Sequence, residues 1–176
     1  MKILLMITMI NLFGKCSKEK IWKDDELSIQ RTNYSGSQLR IDGFYYLQKD
    51  NNYYDCYCFY GNGVVIAAGG LRKSVAELSQ YLEKEFINSD SYKKYKSNWG
   101  VFKIEGNSIQ FERWYPSDPP LKAYVRAGTI INDTTFLITE SYRMQDGKKT
   151  EVKTRNETYY FKQFSPKPDS TNTFVQ

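Results

Sequence analysis

Cys56 and Cys58, separated by a single residue, are the first groups in this sequence whose types and spacing could do chemistry. On a strand, alternate side chains share a face, so the two thiols would lie side by side with Cα atoms about 7 Å apart. That is the outer limit for a disulfide. Three readings stand: two small buried apolar residues beside tyrosines, which is the plainest; a strained disulfide in a compartment that oxidises thiols; and a redox or soft-metal pair. Arg113 poses a second question, because period 2 puts it on one strand face with Ile109 and Phe111. If that face lines a barrel, the guanidinium is buried and needs a partner. Glu140, on a face with Phe136, Ile138 and Tyr142, has the same placement. The plainer reading is a bulge in one strand, or positions at an open end where both are solvated; the sharper one is an internal Arg113–Glu140 pair, with the pair or a bound acid holding a site. Trp114 and Tyr115 precede a proline-rich loop and could form a rim that meets a ligand, or pack. Arg113, Glu140, Tyr142 and Trp114 are the candidate ligand-binding residues.

What is missing narrows the chemistry further. The chain has no histidine. Ser-His-Asp and Cys-His catalysis, His-ligated zinc and the commonest general base near neutral pH all drop out. Three cysteines cannot make a Cys₄ metal site. An enzyme would have to use carboxylates or tyrosine, and no spaced carboxylate pair stands out. The sequence reads as non-catalytic, with no cofactor and no metal. A formal charge of +5 over 176 residues is too small and too scattered for nucleic acid.

The elements that must position these residues are mostly strands. Aromatics make up 16% of the chain, a composition that leans towards β. Strands are expected over 39–48, 53–60, 64–68, 99–105, 108–115, 121–131, 134–143 and 157–164. Gly61-Asn62-Gly63, Gly106-Asn107, Asn132-Asp133 and Asp146-Gly147 are turn signals between them. Ser74-Val75-Ala76-Glu77 has the form of a capping box. Val75, Leu78, Leu82 and Phe86 then recur at helical spacing, which predicts one amphipathic helix over 75–87, between the third and fourth strands. Pro116 to Pro120 make a loop. The fold expected is all-β with one helix, an eight-stranded antiparallel up-and-down barrel. An open sheet or sandwich is the alternative. Residues 38–165 form this domain, 16–37 a polar tether and 166–176 a flexible tail.

The first residues read differently. Lys2 precedes an apolar stretch from Ile3 to Phe13, too short to span a membrane but suited to a signal peptide over 1–15. Without Lys2 and Lys15 the chain keeps 23 basic and 20 acidic residues. Leu12-Phe13-Gly14-Lys15-Cys16 resembles the lipobox of bacterial lipoproteins, with Lys15 where that family has a small residue. The resemblance implies acylation of Cys16 and a membrane anchor. From Phe59-Tyr60-Gly61-Asn62-Gly63-Val64-Val65, through the helix from Ser74 to Phe86, the segment from Trp99 to Ile109, Gly128-Thr129-Ile130-Ile131 and Tyr159-Tyr160-Phe161, the chain resembles bacterial lipocalin-like barrel proteins. That likeness implies a barrel in the cell envelope and carries over no site residue. The expectation is an envelope lipoprotein holding a small apolar or amphipathic ligand. The alternatives are a solid-packed barrel that docks another envelope protein, and, for location, a secreted protein.

Overall fold

The computed structural model describes residues 26–89, 91–116 and 121–176. The segment expected to be a signal peptide, residues 1–15, and Cys16 lie outside the described residues. The strands are β1 (Gly43–Asp50), β2 (Tyr53–Phe59), β3 (Val64–Ala67), β4 (Gly70–Leu71), β5 (Trp99–Glu105), β6 (Ser108–Tyr115), β7 (Lys122–Asn132), β8 (Thr135–Gln145) and β9 (Lys148–Gln163). Each barrel strand pairs antiparallel with its neighbours in the chain, and β1 also pairs with β9 through Gly43–Gln163 to Tyr46–Tyr160. That last pairing closes an eight-stranded barrel. The two-residue β4 only extends the pairing at the start of β2. Closure leaves the barrel strands without a free sheet edge.

The helix forms where its spacing places it, between β4 and β5 and so after the third barrel strand. It is α1 (Val75–Tyr81), which runs on into a π-helical turn over Leu82–Phe86. Glu77 N donates to Ser74 Oγ at 3.2 Å, and the Glu77 carboxylate takes the Lys73 N–H at 2.9 Å. Two orphan donors of the first turn are thereby satisfied. Leu78, Leu82 and Phe86 are buried against the outer wall of the barrel rather than inside it.

The barrel wall therefore has a core on each side. Inside, Tyr45, Tyr57, Phe59, Phe102, Phe111, Phe136 and Tyr159 pack together. Outside, the helix covers Cys56, Cys58, Val64, Ile66 and Trp99. Strand β2 is buried on both faces, which is why its sequence is aromatic or cysteine at nearly every position.

The segments flanking the barrel are packed too. Residues 26–37, read from sequence as a tether, form a strap. Ser28 N and Ile29 N donate to the buried Glu112 carboxylate at 2.6 and 2.7 Å, and Tyr34 N donates to Gly61 O at 2.8 Å. Thr32 lies so close to the β2–β3 turn that a Cβ on Gly63 would come within 2.2 Å of its carbonyl oxygen. Gly63 also has φ +80°, so the turn needs glycine twice over. Residues 166–176, read as a loose tail, lie along the outer core. Tyr60 Oη donates to Pro168 O at 2.6 Å, Lys167 Nζ donates to Ile41 O and Phe59 O, each at 2.6 Å, and Val175 is buried.

Two strands differ from their expected bounds. Leu39 and Ile41 pack in the interior as their period suggests, but regular pairing begins only at Gly43. At the other end β9 is twice the expected length, starting at Lys148 directly after the turn. Residues 148–156 are polar and exposed at most positions, so backbone pairing with β8 holds them without any apolar alternation to announce it.

Candidate functional site

The barrel interior divides into two ends, and the register of β6 against β7 shows where the division falls. Inward residues Ile109, Phe111, Arg113 and Tyr115 face Gly128, Arg126, Tyr124 and Lys122. The end containing Ile109 is filled by aromatic rings. Phe136 stacks on Tyr159 at 4.9 Å, Tyr57 meets Phe111 at 4.8 Å, and Phe59 meets Phe102 at 5.0 Å. Such ring pairs leave no room there for a ligand tail. The end containing Arg113 is polar, and a cleft of about 550 Å³ opens over it. Its floor is made by Lys49, Asp55, Tyr57, Arg113, Tyr115 and Arg126. Phe86 and several tyrosines from the helix and the β4–β5 connection form one side.

Most of the charges at this end are matched. Lys49 Nζ sits 2.7 Å from Asp55 Oδ2, which also accepts from Tyr159 Oη at 3.2 Å. Arg126 donates through Nη1 to the Glu157 carboxylate and through Nε to Tyr115 Oη at 2.7 Å. Arg155 stands behind, 3.6 Å from Glu157 and bonded to Ser141 Oγ at 2.9 Å.

Arg113 differs from the others. Its Nη1 donates to the carbonyls of Ser97 at 2.9 Å and Trp114 at 3.2 Å, and its guanidinium lies 3.8 Å over the Tyr115 ring. It pairs with no carboxylate among the described residues. Its Nε is enclosed and bonds nothing there, and the same is true of Tyr57 Oη. An enclosed polar group left unpaired costs about 1–3 kcal/mol. Two of them facing one cleft mark a place where something from outside completes the bonding.

The electrostatics follow from this arrangement. Burial would raise the Tyr115 phenol, but the guanidinium groups of Arg113 and Arg126 outweigh it and hold the group below its ordinary value. Tyr57 is pushed well up, mainly by burial. Burial also works against the charge on Arg113, but the surrounding phenols of Tyr115 and Tyr57 favour it and leave the guanidinium firmly protonated.

Of the residues singled out in the sequence, Arg113, Tyr115 and Cys56 reach the cleft. The Arg113–Glu140 pair does not form. A bulge between Ile138 and Glu140 turns β8 over, so Phe136 and Ile138 point inward while Glu140 points out and bonds Lys149 at 2.5 Å. Gly128, opposite on β7, allows this close approach, since a Cβ there would lie 1.9 Å from Leu137 O. Past the bulge Ser141 and Arg143 become the inward residues and Tyr142 packs outside with Val125 and Ala127. Trp114 is buried in the outer core under Lys96, not on a rim at the cleft. Cys56 and Cys58 are both free thiols, buried in the outer core under the helix, and Cys56 also lines the cleft. Hydrogen bonding from Cys56, with Lys167 nearby, draws the Cys58 thiol down despite burial, while burial pushes Cys56 up. Among the described residues no three His, Cys, Asp or Glu side chains gather as a metal site.

The residues that sequence reasoning missed are Tyr57, Arg126 and Glu157. Arg126 had a usable signal, because Tyr124, Arg126, Gly128 and Ile130 alternate in register with the face already assigned to Arg113. Tyr57 had little, since apart from Asp55 the residues around it are aromatic or cysteine. Comparison of the chain with protein-family models, with curated proteins and with solved structures finds no match.

Proposed function

We propose that this chain is a non-catalytic binding protein of the cell envelope, anchored through lipid on Cys16, that holds a small amphipathic ligand in the cleft at the polar end of its barrel. One observation carries the ligand reading: Arg113 Nε and Tyr57 Oη are enclosed donors that make no well-aligned bond to an acceptor among the described residues, at the floor of an open cleft whose side is aromatic. A ligand with a polar head and an apolar or ring body suits that floor and that side. A purely apolar ligand has less support, since the apolar end is occupied by the protein's own rings. The envelope location rests on the apolar segment before Cys16 and its likeness to a lipobox.

The same filled end supports a second reading, a solid barrel whose outer surface docks another envelope protein. Mapping amide shifts of the folded protein against a set of small polar aromatic fragments separates the two. The binding reading predicts shifts gathered at Asp55, Ala68, Ser97 and Arg126. Shifts confined to the outer wall, or none at all, would remove it. For the anchor, Cys16→Ala is expected to release the protein from membranes, and a variant that stays membrane-bound would contradict lipidation.

A further inference from the structure

We propose that the cleft recognises the carboxylate of a small organic acid, and that the Nε–Nη2 edge of Arg113 together with Tyr57 Oη is its seat. This rests on the cleft being a ligand site, as argued above. A guanidinium is planar and presents paired N–H donors along its edges. Nη1 is committed to the carbonyls of Ser97 and Trp114, which fix the plane of the group. That leaves the opposite edge. Nε on this edge is enclosed and bonds nothing among the described residues, and the guanidinium faces the Tyr57 phenol. Two parallel N–H groups on one edge match the two oxygens of a carboxylate.

Tyr57 supplies a third donor. Its ring centre lies 5.8 Å from the Arg113 guanidinium carbon, the residue is 1% exposed, and its hydroxyl, beside Arg113 and Tyr115, makes no well-aligned hydrogen bond among the described residues. The charges favour a single negative group. Lys49 is answered by Asp55 and Arg126 by Glu157, so among the described residues Arg113 is the cation of the cleft floor with no carboxylate opposite it. One unmatched positive charge suits a monoanion better than a phosphate dianion. The aromatic side of the cleft, with Phe86 and Tyr92 stacked at 4.7 Å behind it, suits a ring on the ligand. The rings below Tyr57 shut out a long acyl chain.

The test is a titration of the full-length chain with benzoate, benzyl alcohol and inorganic phosphate, read on arginine Nε–H and backbone amide resonances. Benzoate should shift the Arg113 Nε–H signal and the cleft amides. Benzyl alcohol, the same ring without the charge, should bind about tenfold more weakly or worse, as expected for loss of a charged hydrogen bond. Arg113→Lys keeps the charge and loses the two-pronged edge, and in the folded variant it too should weaken benzoate about tenfold. If Arg113→Lys does not fold, Tyr57→Phe removes one enclosed hydroxyl and should weaken benzoate about threefold. Benzoate binding unaffected by these substitutions overturns the proposed seat. Equal binding of benzoate and benzyl alcohol overturns carboxylate recognition but leaves the cleft as a ligand site. Phosphate binding more tightly than benzoate overturns the monoanion. Cleft resonances that none of the three moves overturn both this inference and the ligand reading beneath it.

Discussion

Arg113 and Glu140 look alike in the sequence, each a charge in step with apolar neighbours, yet one faces the cleft and the other faces water. Period 2 placed Arg113 correctly because β6 pairs without a break from Ser108 to Tyr115. It failed for Glu140 because one extra residue on β8 reverses every side chain beyond it. A bulge is a property of how two strands pair, and nothing in Ile138-Thr139-Glu140 alone announces it. Arg113 also has an effect that can be read without any ligand. With Arg126 it holds the Tyr115 phenol below its ordinary value of 10.0. One tyrosine should therefore ionise ahead of the others in an absorbance titration, and Arg113→Gln should move it back up. Because folding favours its ionised form, the stability Tyr115 contributes grows as pH climbs from the depressed value to 10.0 and is absent below. If no phenol titrates early, the cationic floor described here is wrong.

At the scale of elements, the helix was the most legible feature, since capping box and apolar spacing agree with each other. The face it covers was not legible, because an apolar stripe does not say whether it plugs a barrel or lies on its wall. It lies on the wall, so the outer core can be weakened without touching the interior. Leu82→Ala should cost about 2–5 kcal/mol in chemical denaturation while leaving the ring-proton resonances of Phe59, Phe111 and Phe136 inside the barrel unchanged. Shifts in those resonances would mean that the two cores are one. The strap and tail escaped sequence reading for a related reason. Leu27, Ile29 and Val175 are lone apolar residues in polar surroundings, and lone residues carry no period. The tail has its own acid sensitivity. Thr171 and Lys93 hydrogen-bond the Asp169 carboxylate and hold it at about 2, below the ordinary 3.8. The stabilisation is present above 3.8 and is lost as pH falls towards 2. Hydrogen exchange in residues 166–176 should rise over that interval, and Asp169→Asn should abolish the change.

For the whole molecule, eight strands and four tight turns were enough to anticipate closure, and the barrel is the observed fold. What the barrel holds could not be read the same way. The inward face of each strand changes from ring to charge partway along, and that change gains meaning only when β6, β7 and β9 are set side by side. The resulting object is a barrel solid with aromatic rings at one end and open at the other over a charge without a counterion among the described residues. Central to this account is that the open end is occupied by a small molecule in the protein's own setting. Native mass spectrometry of the protein purified from its own membranes tests this most directly. The account predicts a discrete small added mass on the wild type that is missing from folded Arg113→Lys. Folded wild-type protein carrying no added mass beyond lipid, or carrying one that survives the substitution unchanged, would contradict it.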